Sequence, residues 1–389
     1  MTTTINNEHK KLNVPNLRFP EFSGEWEKCK LSDLCTFFSG GTPSSSNKDF
    51  YGGDIAFIRS GELHADNTEL FVTKEGFDSS SAKMVEVGDL LLAMYGATSG
   101  DIAISKIKGA INQAILCIRT KQNKKFIESV WNKHVSKILK KYLQGGQGNL
   151  SADIVKSISF SFPNLAEQER LSSLMSLLDE RIATQNKIIE DLKKLKCALV
   201  EKIFSETQGK VYSYGQLFEV VNERNKAMKY SNILSASQEK GMVNRNDLNL
   251  DIQFERSNIN TYKIVRDGDY VIHLRSFQGG FAFSAKLGVC SPAYTILRPN
   301  NLLEYSYLSY YFTSHRFIKS LIIVTYGIRD GRSINVEEWL NMKVAIPAKE
   351  YQHHILKILK SIDNKIENQE AYASCLSNQK LYLLHQMFI

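Results

Sequence analysis

The most restrictive feature of this chain is a stretch that it contains twice. Residues 163–204 read PNLAEQERLSSLMSLLDERIATQNKIIEDLKKLKCALVEKIF, and residues 347–388, 184 positions later, read PAKEYQHHILKILKSIDNKIENQEAYASCLSNQKLYLLHQMF. Identical residues at that offset include Pro163/Pro347, Gln168/Gln352, Asp179/Asp363, Ile182/Ile366, Leu192/Leu376, Leu199/Leu383 and Phe204/Phe388. Both copies carry an apolar three-four seam: Leu171, Met175, Leu178, Ile182, Ile189, Leu192, Leu199 and Ile203, then Ile355, Leu359, Ile362, Ile366, Ala373, Leu376, Leu383 and Met387. A seam sustained at that spacing marks helices that supercoil against a partner. Each copy interrupts its seam at the same two places, with Gln185 and Lys196 in the first and Gln369 and Lys380 in the second. Two unrelated surface helices would not share those interruptions. The sequence predicts two duplicated long helices in a coiled coil.

The rest of the chain falls around these copies. Residues 1–12 read as a disordered tail, and an extended arm bracketed by Pro15 and Pro20 should dock through Leu17, Phe19, Phe22 and Trp26. Short β-rich runs follow (DIAFIRS, DLLLAMYG, DIAISKI, AILCIRT), separated by glycine turns as strands are. FIESVWNKHVSKILKKYL reads as an amphipathic helix, and SISFSF as a last strand before Pro163. The plan then repeats: Gly268-Asp269 lies 180 after Gly88-Asp89, and Gly280 lies 180 after Gly100. LEYSYLSYYFTSHRFIKSLI supplies the second amphipathic helix, and KVAIP leads into the second copy. An internal repeat settles the architecture first. The fold class is α+β: a mixed domain over 13–162, a spacer helix over 163–208, a second mixed domain over 209–346 and a C-terminal spacer helix over 347–389.

With related but diverged domains before each copy, the coiled coil becomes an intramolecular spacer. A helix of roughly 38 residues spans about 57 Å at 1.5 Å per residue. Antiparallel packing would place the domains at opposite ends, a spacing that suits two segments of a DNA duplex about one turn, roughly 34–36 Å, apart. It would also bring Gln185 close to Gln369, Lys196 to Asp363 and Lys380 to Asp179.

Composition narrows the class. The chain has 389 residues, is 43% hydrophobic and carries a net charge of +8, so an anionic partner is permitted. Its six cysteines form no CxxC pair, which speaks against a zinc site or disulfide framework and for reduced thiols in a cytoplasm. The polar N-terminus predicts no signal peptide, and no apolar run approaches a membrane span. GxxxxGK[ST], a helix-opening GxGxxG, HExxH and the Asn/Asp-Pro-Pro-aromatic tetrapeptide are all absent. His353-His354 are adjacent and point to different helix faces, and GGQG at 145–148 lacks a companion lysine. Asp54, Glu62, Asp89 and Asp101 sit around turns, where turn formation and solvation outweigh catalysis. No catalytic residue or metal ligand is expected.

Four segments carry a resemblance. VPNLRFPEFSGEWEKCKLSDL, SGGTPSSSNKDFYGGDIAFIRSGEL, GAINQAI and PNLAEQERLSSLMSLLDERI are similar to motifs of specificity subunits of type I DNA restriction–modification systems. The likeness covers nearly the whole chain. The second copy departs from it, with Tyr351 where the first has Glu167, and VCSPAYTIL only loosely echoes GAINQAILCI. The resemblance implies a non-catalytic subunit in which each globular domain is a target-recognition domain for one half of a bipartite, asymmetric site in double-stranded DNA. It implies two methyltransferase subunits using S-adenosylmethionine and two restriction subunits using ATP and Mg2+, with no cofactor bound by this chain. The alternatives are a methyltransferase or nuclease with a divergent site, and a coiled-coil scaffold without DNA reading.

Base edges are read by Arg, Lys, Asn and Gln, and phosphates by Ser, Thr and backbone amides. In the first domain such residues cluster as Thr42, Ser44, Ser45, Ser46, Asn47 and Lys48, then Arg59 and Ser60, then Tyr95, Thr98 and Ser99, then Gln144, Gln147 and Asn149. In the second they are Asn222, Arg224, Asn225 and Lys226, then Arg275, Ser276 and Gln278, then Arg329 and Arg332.

Overall fold

The computed structural model describes residues 12–142, 149–237, 240–247, 256–273, 280–326 and 333–389. The chain divides into two compact units, one of residues 1–186 with 372–389 and the other of residues 187–371.

The first unit opens with β1 (Glu27–Lys30), α1 (Leu31–Leu34), β2 (Cys35–Ser39), β3 (Tyr51–Ile58) and β4 (Phe71–Val72). It continues with α2 (Lys74–Asp78), β5 (Lys83–Val85), β6 (Leu90–Ala93), β7 (Ile102–Ile104), β8 (Gly109–Ile111) and β9 (Ile115–Thr120). Then come α3 (Lys124–Tyr142), α4 (Ala152–Ser157), β10 (Ser159–Phe162) and the start of α5 (Leu165–Glu206). Strands β2-β9-β6-β7 make an antiparallel sheet, and β4-β3-β8-β5 a second sheet in which β3 and β8 run parallel. β6 and β9 are buried almost throughout, so their apolar runs (LLLA, ILC) are continuous rather than alternating. Trp26, Phe126, Trp131 and Phe162 form the main core with Leu171 and Met175 of α5.

The second unit repeats the scheme: β11 (Lys210–Ser213), α6 (Tyr214–Leu217), β12 (Phe218–Val221), β13 (Leu234–Ser237), β14 (Gly241–Asn244), β15 (Lys263–Val265), β16 (Tyr270–Ile272), β17 (Phe281–Phe283), β18 (Gly288–Cys290) and β19 (Thr295–Pro299). After them come α7 (Tyr307–Tyr311), α8 (His315–Ser320), β20 (Thr325–Tyr326), β21 (Ser333–Ile334), α9 (Val336–Asn341), β22 (Lys343–Ile346) and α10 (Lys349–Met387). Sheet β12-β19-β16-β17 matches β2-β9-β6-β7 of the first unit strand for strand. The single helix expected over LEYSYLSYYFTSHRFIKSLI is instead broken into α7, α8 and a 3-10 turn at Leu321–Val324. Ser314 is the cause: its backbone is extended and its hydroxyl accepts the Phe317 N–H (3.1 Å), an N-cap that ends one helix and starts the next.

Each long helix is paired within both units. In the first, Lys380 of α10 binds Asp179 of α5, and Arg181 donates to the Tyr372 hydroxyl. In the second, Lys193 meets Glu370 at 2.6 Å and Lys196 meets Asp363 at 2.5 Å. Numbers rise along one helix as they fall along the other, so the pairing is antiparallel, and both lysine–aspartate pairs drawn from the repeat are formed. Gln185 is buried and Gln369 half-buried. Leu171, Leu178, Ile355, Ile366 and Leu376 are buried, while Ile182, Leu192, Leu199, Ile362 and Leu383 are half-buried.

Both helix ends also complete a domain core. Phe388 packs at a tilt against Phe126 in the first unit (5.4 Å between centroids), and its counterpart Phe204 against Tyr307 and Tyr311 in the second (5.5 and 5.2 Å). Gln168 and Gln352 lock the helix starts. Gln168 accepts from Asn123 N–H and donates to Gln122 Oε1 and the Pro163 carbonyl. Gln352 accepts from Glu304 N–H and donates to the carbonyls of Leu302 and Pro347.

The arm docks, but not through all the residues expected. Trp26 is buried, and Phe19 packs beside it. Leu17 stays 44% exposed, because the arm is held there by its backbone N–H on the Gln386 carbonyl. Beside it Arg18 grips Glu167 with two 2.7 Å bonds, and Trp26 Nε1 reaches the same carboxylate. Residues 1–11, most of the tail, lie outside the described residues.

Candidate nucleic-acid interface

The first domain's polar loops meet at the turn Asn112-Gln113-Ala114 between β8 and β9. Gly40 and Gly41 make the approach possible: a Cβ on Gly40 would lie 1.7 Å from the Ile111 carbonyl oxygen, and one on Gly41 would lie 2.0 Å from Ser81 Oγ. Only glycine lets the backbone pass so close. The following loop therefore lies against the turn, where Gly41 N–H donates to the Ile111 carbonyl and the Thr42 hydroxyl donates to Gln113 Oε1. Asn112 N–H reaches the Ile58 carbonyl beside Arg59, and Met94 N–H donates to the Ala114 carbonyl. The Met94 carbonyl in turn accepts from Ser99 Oγ (2.9 Å) and from Leu150 N–H (3.0 Å) next to exposed Asn149. Candidates from four separated segments are thus brought to one end of the domain.

Their states differ. Thr42, Ser44, Ser45, Ser46 and Lys48 are exposed, and the Ser44 and Ser46 hydroxyls bond each other at 2.7 Å. Asn47 is spent on capping, its side chain accepting the Asp49 N–H. Arg59 is exposed but held by Glu62 through two bonds of 3.2 and 2.8 Å, which keep the Glu62 carboxyl below its ordinary range against the effect of burial. Ser60, Tyr95, Thr98 and Ser99 are half-buried. Gln144 and Gln147 lie outside the described residues.

In the second domain the corresponding turn is Ser291–Tyr294. Ser291 Oγ accepts the Ala293 N–H as Asn112 Oδ1 accepts that of Ala114. Lys263 Nζ donates to the Tyr294 carbonyl (2.7 Å), its ammonium pushed down by burial, and the His273 and Tyr294 rings meet edge to face. Arg224 bridges to Lys263 through the backbone, and Asn222, Arg224 and Lys226 are exposed around it. Asn225 is unsuited to base reading. It is 1% exposed and bonds both the N–H and the carbonyl of Tyr230, so it builds the loop. Arg275, Ser276, Gln278, Arg329 and Arg332 lie outside the described residues.

Behind both turns stands one charge device. Asp89 caps the Glu86 N–H and binds Arg119 (2.7 Å), and Asp269 caps the Arg266 N–H and binds Arg298 (3.0 Å). Burial alone would raise the Asp89 carboxyl, but these bonds and Lys124 hold it below its usual value. Asp89 is thus both a turn former and an ion-pair partner. Among the described residues no group of three or more His, Cys, Asp or Glu is placed to hold a metal ion, and no helix is long and apolar enough to cross a membrane.

Residues 23–194 and 208–372 each match the family model for the type I restriction modification DNA specificity domain. The chain belongs to this family. It is a specificity subunit with two tandem DNA specificity domains. It is 24% identical to the MjaVIII specificity subunit of a type I restriction enzyme from Methanocaldococcus jannaschii, across 90% of this chain and 88% of that one. Over 136 residues, 32% of this chain and 29% of the other, it is 30% identical to the HindI specificity subunit of Haemophilus influenzae. The fold is shared with the S subunit of a type I restriction-modification system from M. genitalium, at TM-score 0.58 and 14% identity over 97% of this chain and 99% of that one. A chain from a structure of type I R-M complex assembly and conformational transition gives TM-score 0.58 and 15% identity over 93% and 97%.

The sequence reading missed Gln113. It lies in GAINQAI between two strands, and its polar exposed tip inside an apolar run was the available signal.

Proposed function

We propose that each specificity domain reads one half of a bipartite, asymmetric site in double-stranded DNA, and that the paired helices set the gap between the halves. The supporting observation is that the domains share a scaffold (the buried Asp89 and Asp269 with their partners Arg119 and Arg298, and the buried Gln168 and Gln352) while the loops at the two turns differ in chemistry. Methylation and cleavage then belong to partners: two methyltransferase subunits using S-adenosylmethionine and two restriction subunits using ATP and Mg2+, acting in the cytoplasm.

The test is a genome-wide map of methylated adenines in cells with and without this chain. A two-part motif that vanishes with the chain supports the reading. Exchanging residues 26–160 for those of a relative should change one half only, and lengthening both helices by a turn should change the gap only. A domain exchange that alters both halves, or tight S-adenosylmethionine binding by the isolated chain, would overturn it.

A further inference from the structure

Gln113 sits where the first domain's loops converge, on a turn that is braced from every side. Asn112 Oδ1 accepts the Ala114 N–H (3.2 Å), Ile115 N–H returns to the Asn112 carbonyl (3.2 Å), and Met94 N–H holds the Ala114 carbonyl (2.7 Å). The Gln113 side chain is exposed, and its amide is oriented by the Thr42 hydroxyl, which donates to Oε1. An amide oxygen has two lone pairs and an amide nitrogen two protons. One acceptor site and both donors are therefore left, and among the described residues no group takes them.

We propose that Gln113 reads a base edge in the half-site of the first domain, and that the base is adenine. This rests on the DNA-reading role proposed above. An acceptor beside a donor on one planar group matches the adenine N6 amino group and N7 in the major groove. Holding the amide in advance removes rotamer freedom that would otherwise be lost on binding. A neutral amide attracts phosphate less than a cation does, and Lys48, in the loop that begins at Thr42, is exposed for that task. Registers of the flanking strands place Pro292 of the second domain where Gln113 stands in the first. Proline has neither donor nor acceptor in its side chain, so the second domain cannot make this contact and the halves must differ at that step.

The experiment measures affinities of the full chain, assembled with its methyltransferase partner, for duplexes carrying each of the four bases at every position of the site. The wild-type complex should prefer adenine at one position of the first half. Gln113→Ala should lower that preference by about 5- to 150-fold, the range for a bidentate base contact, and leave the second half unchanged, which also shows that the variant is folded. Gln113→Glu should move the preference toward cytosine, whose N4 donates to a carboxylate. Thr42→Val should weaken the adenine preference and Thr42→Ser should retain it. An unaltered preference in Gln113→Ala overturns the inference, as does an equal loss for every duplex, which would mark a backbone contact. If the wild-type complex shows no two-part preference at all, the reading of function falls, and this inference with it.

Discussion

Replacing Gln352 by methionine keeps the side-chain volume and removes three hydrogen bonds from a site with no solvent exposure. The Glu304 N–H and the carbonyls of Leu302 and Pro347 are left without those partners. A buried polar group stranded in this way costs about 1–3 kcal/mol. Taking the low end, because a carbonyl keeps a second lone pair, three groups sum to about 3 kcal/mol. For 150–250 residues each kcal/mol moves the melting point by about 2–4 °C, so a drop of about 6–12 °C is expected. Gln168→Met should cost less, about 2 kcal/mol, because one of its partners is the half-buried side chain of Gln122, which can turn to water. Scanning calorimetry of the two variants, with urea unfolding as a second measure, checks both size and order. A Gln352→Met melting point within 2 °C of wild type, or a larger loss in Gln168→Met, would show that these glutamines are not what fastens the long helices to their domains.

Asp89→Asn should alter the acid limb of stability. Its folded-state carboxyl lies below the unfolded value near 4, so its contribution is present above that value and lost as pH falls through the folded pKa. Urea midpoints from pH 3 to 7 should thus fall less steeply toward acid in the variant. Reversing Lys196 to Asp should destabilise the second unit modestly, and adding Asp363→Lys should restore part of the loss, with a coupling of about 1 kcal/mol for a half-buried pair that water still reaches. Gly40→Ala should cost about 1–3 kcal/mol, since its Cβ would collide with the Ile111 carbonyl and the strand must shift. DNA binding would show the loss in the first half-site alone.

The long helices were legible because a 3.5-residue period survives in the letters whatever the tertiary context, and a shared interruption at Gln and Lys gave their register. Lys196–Asp363 and Lys380–Asp179 followed from that register. The break between α7 and α8 was not, because a serine starts a helix or lies within one according to its backbone angles, which Ser314 does not announce. Asn225 looked like a reader for the reason that made it a builder: short polar amides serve loop backbones as readily as base edges. The placing of Gln113 was not legible because it depends on Gly40, Ile58, Met94 and Leu150, residues far apart in the chain that meet only in the fold.

The same few strands explain how one end of a domain can vary while the other does not. β6 begins at Leu90, beside Asp89, and ends at Ala93, where the turn of Tyr95, Thr98 and Ser99 starts; its neighbour β9 begins next to Asn112-Gln113-Ala114 and ends beside Arg119. The Asp89–Arg119 pair therefore ties the two strands at one end, and both variable turns leave from the other. β16 and β19 do the same with Asp269 and Arg298. A strand of four residues separates its ends by roughly 10 Å, and its buried side chains admit no change of register without turning every residue to the wrong face. Substitutions in the turns are thereby kept from the ion pair and from the core behind it. That separation lets Gln113 stand in one domain and Pro292 in the other on the same frame, which is what reading two different half-sites with one duplicated fold requires.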